Sequence, residues 1–429
     1  MLKKESRNPW AWIPSLYLAE GLPYIVVMTV SVIMYKRLGI SNTEIALYTS
    51  WLYLPWVIKP LWSPVVDLLK TKRHWIIISQ IFIGAGLAGI AFTIPATKFF
   101  QYTLAFFWLM AFSSATHDIA ADGFYMLGLS KHHQAFFVGV RSTFYRIAFL
   151  AGQGLLVILA GQIEESSGDI AYAWTIIFFI LSGLFILFFI YHFIVLPYPK
   201  ADSRRSDITA KKFIRNFANT FKAFFKKKSI LLILGFILLY RFGEAQLVKL
   251  ASPFLLDPIE SGGLALTTSQ VGFVYGTVGI IALSLGGILG GFVAAKKGLK
   301  FWIWWMLIAI NIPNLVYVYL AITQTTNFLL INAAIAVEQF GYGFGFTAFM
   351  LYLIYISEGE FKTAHYAIAT GFMALGMMLP GMISGWIQEQ IGYQQFFIWV
   401  CVSTIPAFII TRFLSIDAEF GKKTSEDNA

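Results

Sequence analysis

Ser41-Asn42-Thr43-Glu44-Ile45 returns 226 residues later as Thr267-Thr268-Ser269-Gln270-Val271. Each pentad opens with a hydroxyl residue and carries Glu or Gln three positions on. That is the pattern of a capping box, in which side chains at a helix start satisfy its unpaired backbone N–H groups. On the same shift Lys70 falls on Lys296 and Trp75 on Phe301. Further along, Gly161-Gln162-Ile163-Glu164 resembles Gly385-Trp386-Ile387-Gln388 at a shift of 224, and Leu16-Tyr17 with Glu20 echoes Leu239-Tyr240 with Glu244. The chain therefore reads as two parallel copies of one unit.

Composition says what the unit is. Of 429 residues, 58% are hydrophobic and 13% charged, against roughly 45–50% and about 25% in soluble domains. This excludes a soluble enzyme and a disordered or fibrous chain. A membrane-spanning helix needs about 20 mainly apolar residues, and twelve such stretches are expected: 10–34, 44–67, 75–97, 101–127, 134–161, 171–196, 229–252, 269–295, 301–322, 327–353, 364–388 and 394–414. The first is too long for a cleaved signal peptide and lacks a small-residue cleavage site, so it reads as a retained helix. The expected division is a six-helix half over 1–197, a basic linker over 198–228, and a second half with a short tail over 229–429. Glycines and prolines (Gly21 and Pro23; Pro55, Pro60 and Pro64; Pro380-Gly381) are expected to break helices where they line a cavity or bend. Two six-helix halves in parallel repeat resemble the layout of the major facilitator superfamily, an all-α integral membrane fold that suits a transporter better than a receptor or an intramembrane enzyme.

The net charge of +10 is concentrated. Ten Lys or Arg and two acids lie between Lys200 and Lys228, so the excess points to orientation and anionic lipid contact at 200–228 rather than to nucleic acid. Phe213, Phe217, Phe221, Phe224 and Phe225 recur there at helical spacing among lysines, as in an amphipathic helix lying on a membrane. If the N-terminus is cytoplasmic, inner loops and tails hold 24 of the 32 basic residues and outer loops three. Both termini are expected on the cytoplasmic side by the positive-inside rule. Cys401 is the single cysteine, so no internal disulfide and no cysteine metal site is expected. There is no GxxxxGK[ST], HExxH or GxSxG motif, and neither a cofactor, a metal nor an ATP-driven mechanism is expected.

An ionisable side chain in mid-membrane is costly and needs a partner or a purpose. The candidates are Glu20, Lys59, His117, Asp118, Asp122, Arg141, Arg146, Arg241, Glu244, Lys249 and Glu338. Lys59 is placed to snorkel to the cytoplasmic face. Asp118 and Asp122 share one helix face. By depth, Asp118 is expected to meet Arg146 and Asp122 to meet Arg141, either as ions that tie two helices together or as a charge relay linking proton occupancy to an exposed cation. Arg241 and Glu244, three apart, are expected to neutralise each other or to bind substrate. Glu338, in the polar and glycine-rich Glu338-Gln339-Phe340-Gly341-Tyr342-Gly343, is the leading proton-site candidate, followed by Glu20 beside Gly21. Tyr17, Tyr145, Tyr240 and Tyr342 fall beside these charges at depths where they can stack on a sugar ring. Asp67, with Lys70 and Arg73 after it, resembles the acidic and basic gate motif of the facilitator superfamily, with Ser63 where the motif has Gly.

Several strings together carry a closer resemblance: Glu20-Gly21-Leu22-Pro23, Lys59-Pro60-Leu61-Trp62-Ser63-Pro64-Val65-Val66-Asp67, His117-Asp118-Ile119-Ala120-Ala121-Asp122, Tyr145-Arg146-Ile147-Ala148, and Tyr366-Ala367 with Met373-Ala374-Leu375-Gly376. They resemble the AmpG-type muropeptide permeases, a facilitator branch that also includes acetyl-CoA transporters. The resemblance implies proton-driven import of GlcNAc-1,6-anhydroMurNAc, with or without peptide, into the cytoplasm of a bacterium for cell-wall recycling. It implies an inner-membrane protein working as a single subunit. By position, it carries proton-coupling roles to Asp118, Asp122 and Glu338 and a substrate role to Arg146. His117 and Gln339 depart from the family's pattern. Another anionic sugar conjugate or a CoA derivative is the alternative cargo. A non-transporting sensor and an intramembrane acyltransferase using His117 and Asp118 are the readings from other classes.

Overall fold

The computed structural model describes residues 5–202 and 210–422. Its elements, in chain order, are α1 (Pro9–Arg37), α2 (Asn42–Trp51), α3 (Leu54–Leu69), α4 (Lys72–Thr93), α5 (Phe99–Gly128), α6 (His132–Ser167), α7 (Ile170–Val195), α8 (Ala210–Phe225), α9 (Ile230–Leu256), α10 (Thr268–Lys297), α11 (Leu299–Thr323), α12 (Phe328–Ser357), α13 (Lys362–Val402) and α14 (Ile405–Thr411). The described residues hold helices and no strands.

All twelve expected stretches fall on helices. Among the described residues nine helical runs are long and apolar enough to cross a membrane. The difference has local causes. The second stretch is cut at Leu52–Tyr53 into the shorter α2 and α3. The fourth, α5, is diluted by Gln101, Ser113, Ser114, His117, Asp118 and Asp122. The last two stretches run together through Gly392, whose φ of 75° lets the chain turn without ending its hydrogen-bonded run.

The prolines foretell the breaks only in part: the second stretch breaks at Leu52–Tyr53, just before Leu54-Pro55, whereas the first does not break at its proline. Helix continues through Gly21 and Pro23 to Ile25, then widens into a π turn at Val26–Val30. Pro55 stands in the first turn of α3, where a missing N–H costs nothing. Pro380 lies inside α13. Similar π turns occupy Leu150–Leu156 in α6 and Gly272–Gly279 in α10.

The chain packs as two compact units. Unit 1 takes Met1–Gly39, Ile58–Thr209 and Thr268–Gly276; unit 2 takes Ile40–Val57, Ala210–Thr267 and Thr277–Ala429. In unit 1, α4 packs between α5 and α7, and α1 lies along α6. Its core includes Trp12, Leu16, Ile76, Ala120 and Phe124. In unit 2, α12 packs against α10 and α11, and α13 against α2 and α9. Its core includes Phe236, Tyr240, Leu307, Phe349 and Tyr352.

Each unit thus holds the start of a repeated helix against a repeated glycine. Gly161 lies so close to Ser269 that a side chain there would collide with it, and Gly385 stands the same way against Asn42 and Thr43. Thr268 then donates to Glu164 at 2.6 Å in unit 1, as Asn42 donates to Gln388 at 2.7 Å in unit 2. The matched pentads and the matched Gly-x-x-Glu and Gly-x-x-Gln strings are two ends of the same contact, made twice.

The linker helix α8 departs from a purely lipid-facing role. Phe221 and Phe224 pack into the core of unit 2, with Phe224 fully buried and 5.5 Å from the His365 ring. Phe225 remains largely exposed. Phe213 and Phe217 are not among the side chains described. Beyond the helix, burial holds the Lys227 ammonium below the usual lysine range.

Candidate functional site

Unit 1 gathers five ionisable groups. Glu20 comes from α1, Lys59 from α3, Asp118 and Asp122 from α5, and Arg141 from α6. The four-residue spacing puts both aspartates on one face of α5. Asp118 pairs with Lys59, and Asp122 pairs with Arg141 at 3.0 Å. Tyr17 donates to Asp122 at 3.3 Å and accepts from Arg141 at 3.0 Å, while the guanidinium lies 5.0 Å from the Tyr17 ring. Glu20 lies within electrostatic reach of both pairs, and its buried Oε2 has no hydrogen-bond partner.

The Asp122–Arg141 contact is as the depths suggest, but Asp118 takes Lys59 as its ion-pair partner where Arg146 was expected. The reason is rotation. Lys59 turns inward from α3 instead of snorkelling, and a lysine stem is long enough to reach α5. Arg146 sits on α6 one and a half turns beyond Arg141, partly buried. Tyr145 packs beside Gly21 and near Phe149, whose other face meets Tyr24.

His117 points elsewhere. Gln80 bridges it at 3.0 Å to His192, 2.8 Å away, and His192 meets Ser15 at 2.9 Å. This buried chain of α1, α4, α5 and α7 side chains is a structural polar network that the sequence did not reveal beyond His117 itself. His132 and His133 are exposed, in the first turn of α6.

Unit 2 holds the second group. α9 breaks at Tyr240–Arg241, and the Arg241 guanidinium lies against the rings of Tyr342 and Phe346, donating to the Tyr342 hydroxyl. Glu244 makes no hydrogen bond to Arg241, but the guanidinium lies within its electrostatic reach, as expected of charges that offset each other. Glu244 is completely buried, and both its carboxyl oxygens lack a hydrogen-bond partner. Glu338 is also buried and accepts from Gln339 at 3.0 Å. Glu244 lies within electrostatic reach of Glu338. Tyr240 belongs to the core: its ring stacks on Phe349 and its hydroxyl donates to the Gly345 carbonyl at 2.9 Å.

Of the gate candidates, the Asp67 side chain lies outside those described, and Lys70 is exposed. Arg73 is buried within unit 1, its guanidinium 4.0 Å from the Tyr198 ring and its Nε donating to Leu196. Asp202 caps the start of α4 by accepting from the backbone of Lys72 at 2.7 Å and Arg73 at 3.0 Å. No group of His, Cys, Asp and Glu suited to a metal occurs among the described residues.

Comparison with known proteins agrees with this architecture. A family profile described as Major Facilitator Superfamily matches residues 15–359. An Escherichia coli protein named anhydromuropeptide permease is 25% identical over 91% of this chain and 77% of its own. A Rickettsia conorii protein named putative transporter AmpG 4 is 24% identical over 93% and 95%. Among solved structures, a D-xylose-proton symporter superposes with a TM-score of 0.71 at 11% identity, covering 97% of this chain and 99% of that one. The nucleoside transporter NupG gives 0.69 at 15% identity, covering 96% and 100%; at such identities the likeness is one of fold. Nine membrane-length apolar helical runs among the described residues, buried charges in each unit and the profile match lead to one assignment: the chain is a multi-pass membrane transporter, not an enzyme, and belongs to the Major Facilitator Superfamily.

Proposed function

We propose that the protein is a proton-coupled importer of muropeptides, GlcNAc-1,6-anhydroMurNAc with or without a stem peptide, in a bacterial inner membrane. The observation that carries this reading is the charge count of the unit 1 cluster. Three carboxyls, Glu20, Asp118 and Asp122, share two cations, Lys59 and Arg141. One carboxyl is left over, in a place where an unpaired charge is costly. Glu20 is the group that takes up a proton and releases it when the pairs rearrange. Glu244 and Glu338 repeat the situation in unit 2, with Arg241 nearby. The relatives named for anhydromuropeptide transport support the cargo, whose lactyl or peptide carboxylate and sugar rings suit Arg146, Arg241, Tyr17 and Tyr145.

Charge distribution supports the orientation and the lipid contact, and the sequence repeat supports the two halves. Both termini lie in the cytoplasm, residues 1–197 and 229–429 act as halves, and the basic stretch 200–228 meets anionic lipid. The protein works as a single subunit, with Asp67, Lys70 and Arg73 at the inner gate.

The test is uptake of radiolabelled GlcNAc-anhydroMurNAc by right-side-out vesicles under an imposed inward proton gradient. Accumulation above equilibrium that collapses with a protonophore is expected. Absence of uptake by inserted, folded protein removes this cargo.

A further inference from the structure

Unit 2 contains an ionisable group that neither cluster uses. Lys249 lies on α9, seven residues before Leu256, so about 10 Å inside the end of the helix. It is 1% exposed. Its Nζ donates to Thr49 Oγ1 at 3.0 Å and lies 5.2 Å from the centroid of the Tyr53 ring. Among the described residues it has no carboxylate within ion-pairing distance. By contrast, Lys59 and Arg141 each meet an aspartate, and Arg241 lies against two aromatic rings. A lone ammonium covered by one hydroxyl and one ring is a costly arrangement for a membrane helix.

Both partners of Lys249 come from the segment 40–57, and that segment is fastened a short way beyond. Asn42 donates to Gln388 at 2.7 Å and to the Tyr393 hydroxyl at 2.9 Å, and Tyr393 donates to Asp257 at 2.6 Å. The Thr43 backbone N–H donates to Glu389 at 3.1 Å. Gly381 leaves room below: a Cβ there would stand 2.7 Å from Ser50 Oγ and 3.4 Å from the Lys249 stem. The fastening shown is a handful of hydrogen bonds over a glycine contact, and no ion pair among the described residues crosses it. It is reversible by construction.

We infer that Lys249 is the first cation to meet the carboxylate of the incoming substrate, before the arginines take it over, and that residues 40–57 are a cover hiding it until the Asn42 contacts open. The inference rests on the reading above that the cargo is anionic. When the cover lifts, Lys249 loses Thr49 and Tyr53 together and faces the side from which substrate arrives.

The experiment places one cysteine under the cover, Ser50→Cys in a Cys401→Ser background. Its modification from outside by membrane-impermeant anionic and cationic methanethiosulfonates is then timed in right-side-out vesicles. With Asn42→Ala and Gln388→Ala added, modification is expected to quicken at least tenfold. The anionic-to-cationic rate ratio is expected to fall at least tenfold with Lys249→Met and to be kept with Lys249→Arg. A rate unchanged by opening the contacts, or a ratio unchanged by Lys249→Met, overturns the inference. A parallel uptake arm compares GlcNAc-anhydroMurNAc with its carboxyl-amidated form. The wild type is expected to prefer the acid at least tenfold in KM and Lys249→Met to lose that preference; a preference retained overturns the inference. If neither compound is moved, the muropeptide reading fails, while the reagent arm still decides the role of Lys249. Monodisperse elution in detergent verifies that each variant is folded.

Discussion

Glu20 shares its surroundings with two ion pairs and keeps one oxygen without any partner. A glutamine there fills the same space and carries no charge, so it mimics the protonated state permanently. Glu20→Gln is therefore expected to abolish proton-driven accumulation while leaving substrate exchange between loaded vesicles and medium, which needs no proton release. Accumulation by the variant equal to the wild type would remove Glu20 from coupling. The sequence revealed which residues are ionisable and how deep they lie, because both follow from counting along a helix. It did not reveal that Asp118 takes Lys59, or that Glu244 reaches Arg241 only through space, without a hydrogen bond. Those outcomes depend on how α3 is rotated about its own axis and on where α9 breaks, and neither leaves a mark in spacing.

Helix ends were more legible than helix breaks. Ser41 caps α2 as its pattern requires, its hydroxyl accepting from the Glu44 backbone at 3.2 Å, although the Glu44 carboxylate returns to the Ser41 hydroxyl and not to its backbone. The breaks were legible in part: the second stretch breaks just before Leu54-Pro55, while Pro23 and Pro380 sit within continuous helix. Gly385 shows what packing demands at one position, since its neighbour is the backbone of Asn42. Valine there forces α13 and α2 apart, and overpacking of this kind costs about 1–3 kcal/mol. The thermal midpoint of Gly385→Val in detergent, followed by tryptophan fluorescence, is expected to fall by about 3 °C or more. An unchanged midpoint would mean that the contact yields freely.

The distribution of basic residues predicts a topology for the entire chain. Alkaline phosphatase, active only outside the cytoplasm, is expected to be active when fused after Gly39 and inactive when fused after Lys228 or Ala429. Activity at either of the last two positions would invert the orientation. The repeat was legible because each glycine contact constrains several letters at once, although its shift varies between 223 and 226 along the half. Three π turns, at Val26–Val30, Leu150–Leu156 and Gly272–Gly279, interrupt the spanning helices. A π turn is a helix holding one residue in excess, absorbed locally so that the flanking faces keep their neighbours. These turns are therefore the places where the chain can lengthen or shorten by a residue over evolutionary time without re-sorting a helix, and where an insertion or deletion scan would find tolerance inside a membrane span.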